Sequence, residues 1–381
     1  MKKTINYGNH YISHDDILSV TNALKEKKIT QGHIVERFEN KLNLFFNSKY
    51  TLAVSSGTAA LHLSMLSLNL SKKDKVITSP ISFLASANCV EYVGAKVDFC
   101  DIDKNNYTMD PNLLEDKLKK DKNIKAAIVV DYAGHPAAWE DFFYLKKKYK
   151  IILVNDNCHA FGSKYNNNED YAIKYADIVT QSFHPVKQIT TGEGGAIITN
   201  NKNLYSKAKL LRSHGMIRSG NKNTEPWIYS MNELGYNYRL PDINCALGIS
   251  QLKKIKIFIK KRRQIAKIYT KNLSLDCIKL PKNDKNIFHS HHLYPIQINF
   301  KSLKIDKKTF FKKMIKQNIN LQVHYIPIHL QNYYRKKYGF KKGDFKIAEN
   351  FYKNEVSLPI YYTLTEKQQY RVINVIKKIL K

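Results

Sequence analysis

Cysteine is scarce in this chain of 381 residues: Cys89, Cys100, Cys158, Cys245 and Cys277 are five, widely spaced, with no C-x-x-C pair. That argues against a disulfide framework and against a metal site, and for reduced thiols in a cytoplasm. Long apolar runs are missing as well. No segment approaches the roughly 20 residues of a membrane span. The opening Met1-Lys2-Lys3-Thr4-Ile5-Asn6 turns polar too soon for a secretory leader. Acidic residues are few, 32 against 63 basic ones, for a formal net charge of +31. Only eight of the basic residues are arginine, and the lysines are spread along the chain, densest at 253–272 and 301–316. Aromatic residues do not interleave with them as a base-stacking platform requires, so no nucleic-acid partner is expected. The abundance of Lys, Asn, Ile and Tyr fits an AT-rich genome; the positive field would still favour a phosphate-bearing substrate.

The chain has an ordinary globular composition, 43% hydrophobic and 12% aromatic, and is long enough for two domains. Between about 50 and 200, short apolar runs alternate with segments of helical period. Candidate strands are Leu52–Val54, Lys75–Thr78, Lys96–Phe99, Ala126–Asp131, Ile151–Asn155, Asp177–Gln181 and Gly195–Thr199. One helical segment, Thr58–Leu68, carries Leu61, Met65 and Leu68 on one stripe. Such alternation predicts a mostly parallel seven-stranded sheet with helices on both faces. The loop between Gln181 and Gly195 is too short for a crossover helix, so the last strand enters antiparallel. Helices are expected at 201–215 and 241–272. After them a smaller α+β domain is expected, with strands at His291–Ile296 and Gln322–Tyr325 and helices at Lys307–Gln317, Ile347–Asn354 and Thr365–Leu380. The division is 1–25 packing with the small domain, 26–272 large, and 273–381 small.

Residues with chemical potential fall at strand carboxyl ends, where open α/β sheets bind ligands. Val54-Ser55-Ser56-Gly57-Thr58-Ala59-Ala60 joins a strand to a helix. It reads as a phosphate cradle of free N–H groups, or as an ordinary capped turn. Phe83, in the next such loop, either covers a flat ligand or packs in the core. Asp156 ends a buried strand, as partner to a protonated ring nitrogen or as a helix cap. His159 lies one helical turn further. Lys187 sits in Ser182-Phe183-His184-Pro185-Val186-Lys187, ahead of the glycine run Gly192–Gly195, where an amine can form an imine with an aldehyde cofactor. Together these four parts match the phosphate, ring, ring nitrogen and aldehyde of pyridoxal 5′-phosphate.

These residues resemble the DegT/StrS-type nucleotide-sugar aminotransferases, fold-type I pyridoxal-phosphate enzymes. Further matching text is Ile29-Thr30-Gln31-Gly32, Arg212-Ser213-His214-Gly215, Leu234–Leu240, His324–His329 and Ser357-Leu358-Pro359. The resemblance implies catalytic roles for Lys187, Asp156 and His159. It implies cofactor contacts from Gly57, Thr58, Ala59, Phe83 and Ser182, and from Asn237 of a partner subunit, hence a homodimer with shared sites. By family position, Thr30, Gln31, Arg239, His324, Tyr325 and His329 are candidates for holding the sugar nucleotide. The implied reaction moves an amino group from L-glutamate to C4 of a UDP-linked 4-keto-6-deoxy-N-acetylhexosamine, as in pseudaminic acid biosynthesis. A GDP- or dTDP-linked keto sugar is the alternative, and a sugar dehydratase a further one. Asn155 stands where the family often has Glu, a departure expected to alter the surroundings of Asp156 and leave the mechanism intact.

Overall fold

Apolar β-branched runs buried on both faces build the central sheet of the computed structural model, which describes residues 3–218, 225, 227–282 and 284–381. Its strands are β1 (Tyr50–Val54), β2 (Lys75–Thr78), β3 (Lys96–Phe99), β4 (Ile124–Val130) and β5 (Ile152–Asp156). A short β6 (Lys164–Tyr165) intervenes before β7 (Ile178–Ser182) and β8 (Gly195–Thr199). The order is β1-β8-β7-β5-β4-β2-β3, with β8 antiparallel to both β1 and β7 and the remaining pairs parallel. The carboxyl ends of β1, β5 and β7 therefore share one edge. The helix Gly57–Ser67 is buried almost all round instead of along one stripe, because it packs against β7 and β8 as well as the helices Ala85–Tyr92 and Lys202–Arg212.

Beyond β8 come the hairpin β9 (Met216–Arg218) and β10 (Tyr229–Met231), then β11 (Ile278–Lys279), β12 (Ile287–Phe288), β13 (Tyr294–Ile298) and β14 (Glu355–Leu358). The sheet β11-β13-β14 lies against the helices Lys307–Lys316 and Glu366–Leu380 around a second core that includes Ile296, Phe310, Met314, Val356 and Ile373. The long helix Ile255–Asn272 serves both cores. Phe258 and Ile259 enter the large one, whereas Ile265, Ala266 and Tyr269 enter the small one. The change of core thus falls inside this helix, not at its end.

Segment 1–25 also divides, instead of joining the small domain as a whole. Ile5 bridges Ile319 in the small core. The helix His14–Leu24 packs on Asp242–Leu252, where buried Asp16 accepts hydrogen bonds from Gln251 (2.8 Å) and Lys254 (2.5 Å). Gln322–Tyr325 is not a strand. Only Gln322 bridges Ser357, and the His324 N–H donates instead to the Glu355 carboxylate at 3.0 Å. Among the described residues no helix is long and apolar enough to cross a membrane.

Candidate active site

Asp156 is the last residue of β5, in register with Val130 of β4 and Thr180 of β7. Its Oδ2 accepts from Ser86 Oγ at 2.6 Å and its Oδ1 from the Cys158 N–H at 3.3 Å. No helix follows, so Asp156 is not a cap. Tight turns cover Asn157–Ser163 instead, with Ala160 N–H bonding Asn157 O and Ser163 N–H bonding Ala160 O. These turns, and not a helical repeat, bring His159 to the same side. A buried hub anchors them. Asp131 accepts from Asn157 Nδ2 and Tyr171 Oη (2.8 Å each), Trp139 Nε1 (2.9 Å) and Ala137 N–H (2.7 Å). Asn157 in turn accepts from Gln181 of β7.

The Nδ1 of His159 accepts from the Ala133 N–H (3.3 Å), which leaves the ring proton on Nε2, 3.2 Å from Tyr325 Oη. Burial first, then the charge of Lys187, hold this histidine well below its usual range, so it is neutral.

The loop carrying Lys187 is pinned at both ends. Thr191 N–H and Thr190 Oγ1 both bond the Phe183 carbonyl, and Gly192, at φ +81°, turns the chain back toward β8. Gln188 donates to the His159 carbonyl (2.5 Å) and to Ser290 Oγ (3.1 Å), tying the lysine loop to the histidine turn. Burial pushes the Lys187 amine down, while Cys158 and Asp156 push the other way.

At the end of β1, Ser56 caps the helix Gly57–Ser67 and accepts from the Ala59 N–H at 3.0 Å. The N–H groups of Gly57 and Thr58, in the first turn, have no intrahelical acceptor. Ala59 is therefore committed to the cap. Glycine at 57 answers a close approach, not a tight turn: a Cβ there would sit 2.8 Å from the Ser182 side chain. Phe83 is 57% exposed, its ring 6.2 Å from that of Tyr325.

One cavity of about 680 Å³ unites most of these groups, within the roughly 300–1,000 Å³ of small-molecule sites. Gly57, Thr58, Phe83, Asp156, His159, Ser182, Lys187, His324 and Tyr325 all line it. Five candidates lie elsewhere. His329 is fully buried with Nε2 3.1 Å from Glu349. Gln31 and Arg239 line a separate cleft beside Glu39 and Arg212. Thr30 is exposed beside Gln31, and Asn237 is exposed and pairs through its backbone with Ser213. The cavity also holds residues that no motif announced: Ser86, Cys158, His292 and Tyr7. Ser86 is a single serine on a helix, 70 positions from its partner Asp156, and nothing in the chain text marks it.

The chemistry of this lining fits pyridoxal 5′-phosphate on four counts. It offers a buried carboxylate, an amine with lowered basicity, a helix N-terminus with free donors next to Ser182, and an aromatic face at the mouth. A dinucleotide or a metal would need parts this cavity lacks: no Gly-x-Gly-x-x-Gly turn precedes it, and among the described residues no His, Cys, Asp and Glu group is set to hold a metal.

Comparison with known proteins agrees. Residues 10–377 match the model of the DegT/DnrJ/EryC1/StrS aminotransferase family. The chain is 40% identical over 368 residues to a UDP-4-amino-4,6-dideoxy-N-acetyl-beta-L-altrosamine transaminase of Campylobacter jejuni, covering 95% of this chain and 94% of that one. The structure superposes on Helicobacter pylori PseC, an aminotransferase of pseudaminic acid biosynthesis, with a TM-score of 0.93, 32% identity and 99% of each chain covered. It superposes on the pyridoxal-phosphate form of a sugar aminotransferase of Streptococcus pneumoniae with a TM-score of 0.89, 26% identity, and 99% and 100% coverage. The chain belongs to the DegT/DnrJ/EryC1/StrS family of pyridoxal-phosphate-dependent sugar aminotransferases.

Proposed function

We propose that this sugar aminotransferase moves an amino group from L-glutamate to C4 of a UDP-linked 4-keto-6-deoxy-N-acetylhexosamine, in the pathway to pseudaminic acid, in the cytoplasm. The observation that carries the reading is the convergence of Lys187 and Asp156 on one cavity, in a chain 40% identical to a transaminase of a UDP-linked sugar. Bound there, pyridoxal 5′-phosphate supplies an aldehyde and a ring that accepts electron pairs. Lys187 would hold the aldehyde carbon in the resting enzyme. Freed by the donor, its amine would act as the base that takes the proton from the donor's α-carbon and as the acid that returns it two bonds away, across the nitrogen. That task needs a neutral amine, and burial of Lys187 works in this direction.

Asp156 would accept a hydrogen bond from the protonated ring nitrogen, its carboxylate held by the hydrogen bond from Ser86. His159 would hold the ring oxygen, and Phe83 would cover the ring. The N–H groups of Gly57 and Thr58, with Ser182 Oγ, would take the phosphate at the helix N-terminus. Ala59 contributes through the cap alone.

Asn237 acts from the partner subunit. Its exposure fits this, as do the exposed Trp227, Tyr229, Met231 and Leu234 on the same stretch, an apolar surface that a second copy would cover. In this reading Thr30, Gln31 and Arg239, which lie outside the cavity, would meet the sugar nucleotide bound to a second copy. The excess of lysine favours a doubly phosphorylated substrate.

The test is a product assay. The enzyme is incubated with glutamate and a panel of UDP-, GDP- and dTDP-linked 4-keto sugars, and read by mass spectrometry. Amination of the UDP-linked N-acetyl sugar, at least tenfold faster than the others, is expected. Preference for a GDP or dTDP carrier sinks the substrate assignment, and a deoxygenated product without glutamate use sinks the reaction.

A further inference from the structure

We propose that Ser357 and Glu355 are positioning residues that hold His324 so that its Nε2 hydrogen-bonds the sugar of the nucleotide substrate. The inference rests on the function proposed above and adds to it the means by which the sugar is read.

His324 is fixed at three of its four polar atoms. Its N–H donates to Glu355 Oε2 (3.0 Å), its carbonyl accepts from Tyr132 Oη (2.5 Å), and its Nδ1 lies 2.8 Å from Ser357 Oγ. The Ser357 hydroxyl donates in turn to Glu355 Oε1 at 2.6 Å. Glu355 and Ser357 are both fully buried on β14, so this chain of bonds is enclosed by protein. The ring is wedged between Tyr7 (5.5 Å) and Tyr325 (4.9 Å) and lines the cavity. Nε2 is the one polar atom of the residue that no protein group takes among the described residues, and it is not sealed from the cavity. A buried ring oriented with such care and left open at one nitrogen is built to meet a ligand atom.

The sense of that contact follows from counting protons. A hydroxyl has one. While Ser357 gives its proton to an ionised Glu355, it can only accept from His324, so Nδ1 carries the hydrogen and Nε2 is a bare acceptor for a sugar hydroxyl or acetamido N–H. If Glu355 is protonated on Oε1 the chain reverses, and Nε2–H becomes a donor. Burial pushes Glu355 up from the usual carboxylate range, while the Ser357 hydroxyl and the Lys307 ammonium draw it back. The charged and titratable groups near it are Lys307, which opposes the shift, and the phenols of Tyr132 and Tyr325. Near His324 itself stands Lys187, and burial holds His324 down at about 3, so the ring stays neutral while its tautomer changes. Recognition of the sugar should therefore carry the titration of Glu355, a residue that never touches the sugar.

The two half-reactions separate the possibilities. Wild type, Ser357→Ala, Ser357→Thr and Glu355→Gln are loaded with cofactor. The glutamate half-reaction is followed by loss of the cofactor's visible absorbance, and the sugar half-reaction by its return, across pH 6–9. For Ser357→Ala the KM for the UDP-linked 4-keto sugar should rise roughly tenfold, the worth of one oriented hydrogen bond. The glutamate half-reaction should stay within about twofold, and Ser357→Thr should recover most of the loss. In wild type the sugar KM should change with a single titration, absent from both Ser357→Ala and Glu355→Gln. An unchanged sugar KM in Ser357→Ala overturns the proposal. So does an equal loss in both half-reactions, or a titration that survives Glu355→Gln. A wild-type protein with no glutamate half-reaction overturns the proposed function itself, and this inference with it.

Discussion

Replacing Asp131 with asparagine should weaken the fold beneath the site more than a one-atom change suggests. The carboxylate accepts four hydrogen bonds inside the protein, two on each oxygen, from Ala137, Trp139, Asn157 and Tyr171. Burial pushes Asp131 up, and those four donors oppose it. An amide keeps one accepting oxygen. Its NH2 then faces either Ala137 and Trp139, which only donate, or Asn157 and Tyr171, where Asn157 Nδ2 keeps Tyr171 Oη (2.8 Å); in both cases two buried donors lose the carboxylate oxygen that accepted from them. Each orphaned group costs about 1–3 kcal/mol, so the variant should lose roughly 3–5 kcal/mol, a large share of a typical 5–15 kcal/mol. Thermal denaturation should show it as a fall of several degrees. Because Asn157 sits between Asp156 and Cys158, cofactor affinity should fall with it. Asp131→Asn melting at the wild-type temperature, with cofactor bound as tightly, would refute the claim that this hub sets the turn after β5.

Asp156→Asn should lower kcat/KM roughly 10- to 100-fold, the loss of a charge-assisted hydrogen bond of about 1.5–3 kcal/mol; steady-state assays of a variant that still melts normally would read it. Asn155→Leu should raise the melting temperature with activity within about twofold. Both amide atoms of buried Asn155 lack a partner among the described residues, while its strand neighbours are Val129 and Val179; a drop in melting temperature would reveal an unseen polar role. Raising ionic strength from about 0.05 to 0.3 M should reduce kcat/KM for the sugar nucleotide several-fold and barely alter that for glutamate, since the +31 charge attracts the diphosphate more strongly; equal sensitivity would remove steering from the account.

The central sheet was legible because its strands are buried on both faces and read as continuous apolar runs. Even the antiparallel β8 follows from a loop too short to cross over. Lys187 and Asp156 were legible for the same reason, since each follows such a run. What local text hides is tertiary. His159 reaches the cavity through turns held by Asp131 and Asn157, not by helical spacing. Gly57 is needed because β7 passes close by, which no reading of the turn itself contains. Ser86, Tyr7 and His292 belong to no motif; packing of distant segments puts them on the cavity wall. His329, five residues after His324, points to Glu349 instead, because the chain between them turns away from the site. Gln31, Arg239 and Asn237 lie outside the cavity that the other candidates line.

Borohydride reduction of the purified, cofactor-loaded protein, followed by peptide mapping, tests the assignment of Lys187 most directly. Reduction should bleach the visible absorbance and leave a stable pyridoxyl-phosphate mass on the peptide containing Lys187 and on no other. Label on a different lysine, or bleaching with no peptide modified, would contradict the account.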